Sequence, residues 1–200
     1  QLLKTIEIFE PANIKDLVNK VNLEKEAIVN ELNNIRQKQL GVFLDDKEIS
    51  SSSIIFTTKG WAALKTEAET FLTYFHKKFP LRKGAPKEEL RSRLNLNSNI
   101  FGSIILKLHN ESILVEDEGI LYDPKYIRKL SPLQTTIAKE YVELLSMHPY
   151  SPPTDQDIDP ELLGFLVDKG KVVRVAEHII FESSVYREML AKITKHLDIH

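Results

Sequence analysis

The chain has 200 residues, with 27 basic and 29 acidic side chains, 42% apolar residues and no cysteine. That apolar share supports packed cores and excludes a disordered chain. The missing cysteine excludes disulfides, thiolate metal sites and a cysteine nucleophile. No apolar run approaches the roughly 18 residues of a membrane span, which predicts a soluble protein. None of the seven glycines falls in a GxxxxGKS or GxGxxG pattern, so no nucleotide-binding loop is expected. The absence of cysteine fits a reducing cytoplasm, and a chain that begins at Gln1 without a charged-then-apolar leader reads as a piece of something longer.

In chain order, residues 1–9 read as the tail of an opening helix, and IKDLVNKV (14–21) as a second. Ile28, Leu32 and Ile35 are spaced for a third helix with one apolar stripe. Two β-prone runs follow, VFLDD (42–46) and SIIFTT (53–58), joined by the polar KEISSS. A long helix near 59–79 ends at Phe79-Pro80. PKEELRSRL (86–94) and a helix carrying Ile100, Ile104, Ile105 and Leu108 come next, then SILVED (112–117) and GILYD (119–123), turning at Glu118-Gly119. Ser131 as N-cap and Pro132 at the first helical position open another long helix, near 132–147. The prolines of YSPPTDQDI make a regular helix improbable there. Leu162, Leu163, Phe165 and Leu166 mark a further helix before KVVRVA (171–176) and HIIFES (178–183), turning around Glu177. A last helix covers 184–197.

Two or three helices and then a β-hairpin, repeated at about 60–70 residues, is the order of a winged-helix domain. The expected fold is mainly α with small β wings, built from tandem winged-helix domains in an extended arrangement. The first domain, truncated at its N-terminus, covers 1–58, the second 59–130 and the third 131–183. Residues 184–200 form a linker helix opening an absent fourth domain.

The near-neutral total hides a partition. Residues 1–70 carry 9 basic and 11 acidic groups, 71–130 carry 11 and 7, and 131–200 carry 7 and 11. The densest positive stretch is HKKFPLRKGAPKEELRSR (76–93). Its Lys77, Lys78, Arg82, Lys83, Lys87, Arg91 and Arg93 are the candidate nucleic-acid contacts, able to track a phosphate backbone. The interleaved Tyr74, Phe75 and Phe79 are at helical spacing and expected to pack inward. Glu88 and Glu89 fit the positive end of a helix dipole, with Arg91 and Arg93 as solvated partners, so a plain charged face remains the competing reading.

Other chemistry is sparse. Helices in the position that reads DNA bases offer Asn30, Asn33, Asn34 and Arg36 in the first domain and Asn97, Ser98, Asn99, Ser103 and Lys107 in the second. The third offers mainly carboxylates. His196 and His200 stand four apart, the spacing of a helical zinc pair, without an evident third ligand. Ser50 to Ser53 read as a flexible wing tip, with no GxSxG elbow nearby. Asp155, Asp157 and Asp159 resemble the start of a calcium loop, but Pro160 replaces the loop glycine and Leu166 the closing glutamate. Neither a metal site nor a catalytic set is expected.

FHKKFPLRKGAPKEELRSRL (75–94) and LLGFLVDKGKVVRVAEHIIFESSVYREML (162–190) resemble the C-terminal half of the bacterial selenocysteine-specific elongation factor SelB family. Over residues 1–60 only the helix-and-wing order matches. The resemblance implies the first three winged-helix domains of a four-domain tail that follows a GTPase portion. It implies that the parent protein binds GTP with magnesium, while this chain holds no cofactor and no catalysis. It also implies partners reached through the parent: selenocysteinyl-tRNA, the ribosome and an mRNA hairpin marking a UGA codon, with no membrane contact and a monomeric state. The hairpin is read mainly by the last domain in that family, so none of its contact residues carries over. Two alternatives stay open. One is a DNA-binding transcriptional regulator using Asn97, Asn99 and Lys107; the other is a protein-interaction scaffold that binds no nucleic acid.

Overall fold

The computed structural model describes residues 2–21, 24–45, 48–50, 52–155 and 157–197. Helices dominate, joined by short antiparallel strands in three small sheets among the described residues. By internal contacts the chain divides into Gln1–Phe75 with Gly84–Lys125, and His76–Lys83 with Tyr126–His200.

The first unit carries the helix-and-wing order twice. The first copy is α1 (Leu2–Phe9), β1 (Ala12–Asn13), α2 (Ile14–Lys20), α3 (Lys25–Gln37), β2 (Gly41–Phe43) and β3 (Ile54–Thr57). Asn13 accepts a hydrogen bond from the Lys15 backbone N–H at 2.8 Å, satisfying one of the donors left open where α2 starts. The three-four stripe is fully used: Ile28, Leu32 and Ile35 are buried, with Leu2, Ile6, Leu17 and Ile55 in the same core. The sheet order is β1-β3-β2, all antiparallel, with Val42 opposite Phe56.

The second copy is α4 (Thr58–Lys78), β4 (Ala85–Pro86), α5 (Lys87–Arg93), α6 (Ser98–Asn110), β5 (Val115–Asp117) and β6 (Ile120–Tyr122). Its sheet repeats the topology as β4-β6-β5. The wing turns where expected: Glu118 and Gly119 have φ of 50° and 79°, the paired positive values of a type I′ hairpin, with glycine at the second position relieving the steric cost. Phe101, Ile104, Ile105 and Leu108 of α6 are buried, and Ile100 is half-buried.

The second unit holds the end of α4 with residues 79–83, then α7 (Pro132–Met147), α8 (Pro160–Asp168), β7 (Val172–Ala176), β8 (Ile179–Glu182) and α9 (Ser183–Leu197). Ser131 and Gln134 form a reciprocal capping box, with Pro132 at the first helical position as the sequence predicts. No helix forms among the described residues between Met147 and Pro160, where the prolines deny the backbone its ladder. Leu162, Leu163, Phe165 and Leu166 pack with Tyr141, Leu145, Val172 and Ile180. The hairpin shifts register between Arg174 and Ala176.

The helices that precede the three hairpins close identically. At α3 the Leu40 N–H reaches the Ile35 carbonyl and Gln39 reaches Arg36; at α6 Ile113 reaches Leu108 and Ser112 reaches His109; at α8 Lys171 reaches Leu166 and Gly170 reaches Val167. Gln39, Ser112 and Gly170 all have positive φ, between 54° and 64°. This is the Schellman closure, which satisfies the last carbonyls and turns the chain into the wing. The physical repeat is therefore stronger than the sequence repeat, because only the third copy uses glycine. No described helix is long and apolar enough to cross a membrane.

Candidate nucleic-acid interface

The basic run is contiguous in sequence, but its residues are divided between the two units. Lys87, Arg91 and Arg93 lie on α5, in the first. Lys87 pairs with Glu116 on β5 at 2.7 Å, so it ties the helix to the wing. Arg91 pairs with Glu88 one turn earlier at 2.5 Å and also donates to the Leu96 carbonyl at 3.3 Å. Arg93 pairs with Glu67 on α4 at 2.5 Å rather than with its own helix. Lys77, Lys78, Arg82 and Lys83 belong to the second unit. Lys77 is exposed without an ion pair among the described residues. Lys78 stands 5.1 Å from the Phe79 ring centroid, and Arg82 stacks on that ring at 4.2 Å. Arg82 also forks onto Glu161 at the start of α8, its Nε 2.8 and 2.9 Å from the two oxygens.

At least four of the seven candidate cations, Arg82, Lys87, Arg91 and Arg93, therefore already face a carboxylate. These are surface pairs, each contributing about 0–1 kcal/mol. The chemistry these cations offer is electrostatic and sequence-independent.

Residues 79–83 are also structural. Leu81 enters the core formed by α7 and α8, and its carbonyl accepts from Arg128 at 3.1 Å. Arg128 in turn pairs with Asp168 at the end of α8 at 2.5 Å. Tyr126 stacks on the buried His76, centroids 3.9 Å apart, and donates to the Pro80 carbonyl at 3.0 Å. Of the three interleaved aromatics, Phe75 is buried and Phe79 half-buried, but Tyr74 is 58% exposed. The inward packing expected of Tyr74 does not occur, because it sits on the outer face of α4.

The base-reading alternative finds little support. Asn97 stands at the N-cap position of α6 without a side-chain capping bond and Asn99 is exposed in its first turn, but Lys107 is only half-exposed and lines a cleft with Arg36 and Glu111. Leu106 lies on the outward side of α6, 62% exposed, where a base-reading helix would carry a donor or acceptor.

The other motifs resolve into local structure. Asp159 is the N-cap of α8, accepting from the backbones of Glu161 and Leu162 at 2.8 and 3.0 Å. Ser53 is fully buried, with its carbonyl accepting from Ile14, so this end of the serine run is anchored in the sheet rather than forming a free tip. Ser51 and His200 lie outside the described residues, as does Asp46 of the first β pair. Among the described residues no group of three or more His, Asp or Glu is placed to hold a metal ion.

Sequence reasoning missed the junction around Trp61. Its ring, 3% exposed, meets Phe56 of β3 edge-on at 5.4 Å. Its indole N–H reaches both oxygens of Glu111, at 3.0 and 3.2 Å, and Lys65 pairs with the same carboxylate at 3.0 Å. Glu111 caps the end of α6, so one carboxylate joins α4 to α6 beside the first copy's sheet. A lone tryptophan in an amphipathic helix carries no sequence signal for a partner fifty residues away.

Three-helix copies closed by wings define a winged-helix protein. Residues 70–122 match the family model described as elongation factor SelB, winged helix. Over those residues the chain is similar to a winged helix of elongation factor SelB. A search of curated proteins found no match.

Proposed function

We propose that this chain is the C-terminal arm of a selenocysteine-specific translation elongation factor. In this reading it links the part that binds GTP, magnesium and selenocysteinyl-tRNA to a last domain that grips an mRNA hairpin during UGA recoding on the cytoplasmic ribosome. The observation that carries the reading is the match of residues 70–122 to the SelB winged-helix model. The same helix-and-wing order before and after that stretch supports a tandem arm. The arm has no catalysis of its own. Its mechanical role is that of a tether: it sets the effective concentration of one binding module near the other, and that concentration collapses when the span is wrong. Lys77, Lys78, Arg82, Lys83, Lys87, Arg91 and Arg93 supply weak backbone contacts to RNA, released by salt.

Electrophoretic mobility shift with duplex DNA pools and with a UGA-adjacent hairpin RNA tests this against the regulator. The expected duplex binding is non-specific, with Kd no tighter than about 10⁻⁶ M at physiological salt. Enrichment of one duplex sequence with nanomolar affinity, lost in Asn97→Ala and Asn99→Ala, would overturn the reading.

A further inference from the structure

The second unit bears a groove between α7 and α8 whose chemistry the translation reading does not use. Its volume is about 580 Å³. Its floor is apolar, formed by Val142 and Ala138 of α7 and by Phe165 and Leu166 of α8. Its rim carries Lys139, Lys169 and Lys171 against the single carboxylate of Glu143. The contrast with the surroundings is sharp. Residues 131–200 contain 7 basic and 11 acidic side chains, yet this rim collects three of the former and one of the latter. Lys139 is the member facing that acid, at 3.6 Å. Lys169 and Lys171 are exposed and have no ion pair among the described residues.

We propose that this groove docks an acidic amphipathic helix of a partner protein. Such a helix places apolar side chains three and four apart on the floor and its flanking Asp and Glu beside the lysines. Charge complementarity of this kind sets partner choice and encounter rate, while the buried apolar face supplies the affinity.

Single-stranded RNA fits the groove less well. Base binding needs an aromatic face, but the floor's one ring, Phe165, is 9% exposed. Cations already stand over it, Arg128 at 5.3 Å and Lys169 at 5.8 Å. A second copy of this chain is disfavoured as well. The exposed helical stripe it offers, Leu190, Ile193 and Leu197 of α9, is flanked by Arg187, Lys192 and Lys195 against Glu188 alone, so it would meet the lysine rim with like charge.

The test uses the 200-residue chain, isotope-labelled, and three probes followed by amide chemical shifts. One probe is a synthetic helix of about 18 residues, long enough to be stable when docked, with leucines on one face and glutamates flanking them. The second has the same leucine face with lysines in place of the glutamates, and the third is oligouridine. The proposal expects saturable shifts along α7 and α8 with the acidic peptide only. It expects the combination of Lys139→Glu, Lys169→Glu and Lys171→Glu to weaken that peptide on the order of tenfold and to admit the basic one. These lysines are exposed, so the triple variant keeps its fold, checked by unchanged shifts at the Ile180 and Leu162 amides of the core. Equal binding of the two peptides, no saturable shift, or oligouridine binding at these residues would each overturn it. None of these outcomes depends on the selenocysteine reading.

Discussion

Arg82 is the residue at which the sequence reading and the structure make different use of one charge, and Glu161→Gln separates them. The wild-type pair is forked, with Arg82 and Glu161 side chains 49% and 34% exposed. Its exposure limits the pair to about 0.5–1 kcal/mol, the upper end for a surface pair because the geometry is bidentate. Glu161 also sits in the first turn of α8, where a negative charge adds about 0.3–1 kcal/mol against the helix dipole. Glutamine keeps the shape and removes both terms, so the second unit should lose about 1–2 kcal/mol. For a unit of its size each kcal/mol lowers the thermal midpoint by about 4–8 °C. Arg82→Gln should lose the pair together with the stack on Phe79, and a double-mutant cycle, which isolates the pair, should return a coupling near that pair energy. With the Glu161 charge removed, less competes with phosphate for Arg82, so Glu161→Gln should tighten RNA binding by up to about fivefold, the pair's free energy read as affinity. The assays are thermal denaturation and anisotropy of a labelled RNA hairpin at two salt concentrations. Zero coupling, or RNA affinity that falls in Glu161→Gln, refutes the reasoning.

Other predictions follow from single geometries. Gly170→Ala and Ser112→Gly reverse each other's chemistry at equivalent helix ends with φ of 64° and 58°; chemical denaturation should show the first losing and the second gaining about 1 kcal/mol. Glu111→Ala strands the buried Trp61 N–H and should cost about 1–3 kcal/mol, with a shift in the emission of the chain's one tryptophan. Glu182 accepts from the backbones of Ser184 and Val185 where α9 begins. Burial pushes its carboxyl up, but those bonds, the Ser184 hydroxyl and the Arg187 charge outweigh it and hold the group below its ordinary 4.5. Its contribution is therefore present above that value and lost as pH falls below it. Hydrogen exchange at the first turn of α9 should rise on acidification in the wild type, and should already be high and insensitive to this range in Glu182→Gln.

The fold was readable wherever a local rule was sufficient. The stripe of Ile28, Leu32 and Ile35, the Ser131-Pro132 start and the Glu118-Gly119 turn each follow from neighbours in sequence. Pairing across the fold was not. Glu88 lies three residues from Arg91, so that pair obeys helical spacing, but Glu67, Glu116 and Glu161 reach Arg93, Lys87 and Arg82 only through tertiary packing. Counting charge along the chain therefore does not tell which cations are paired. Tyr74 shows the same limit for apolar groups: a three-four rule tells which residues share a face, not how wide the buried face is.

The central claim is tested most directly by selenium incorporation. A host deprived of its own selenocysteine elongation factor would be complemented with the gene encoding this chain, intact or with residues 131–183 excised, and a UGA-containing reporter assayed for radioactive selenium. The account predicts that the intact gene restores incorporation. It predicts that excision lowers it on the order of a hundredfold, because the shortened arm can no longer engage both sites at once, while GTP binding is unchanged. Failure of the intact gene to restore incorporation, or full activity after excision, would contradict it.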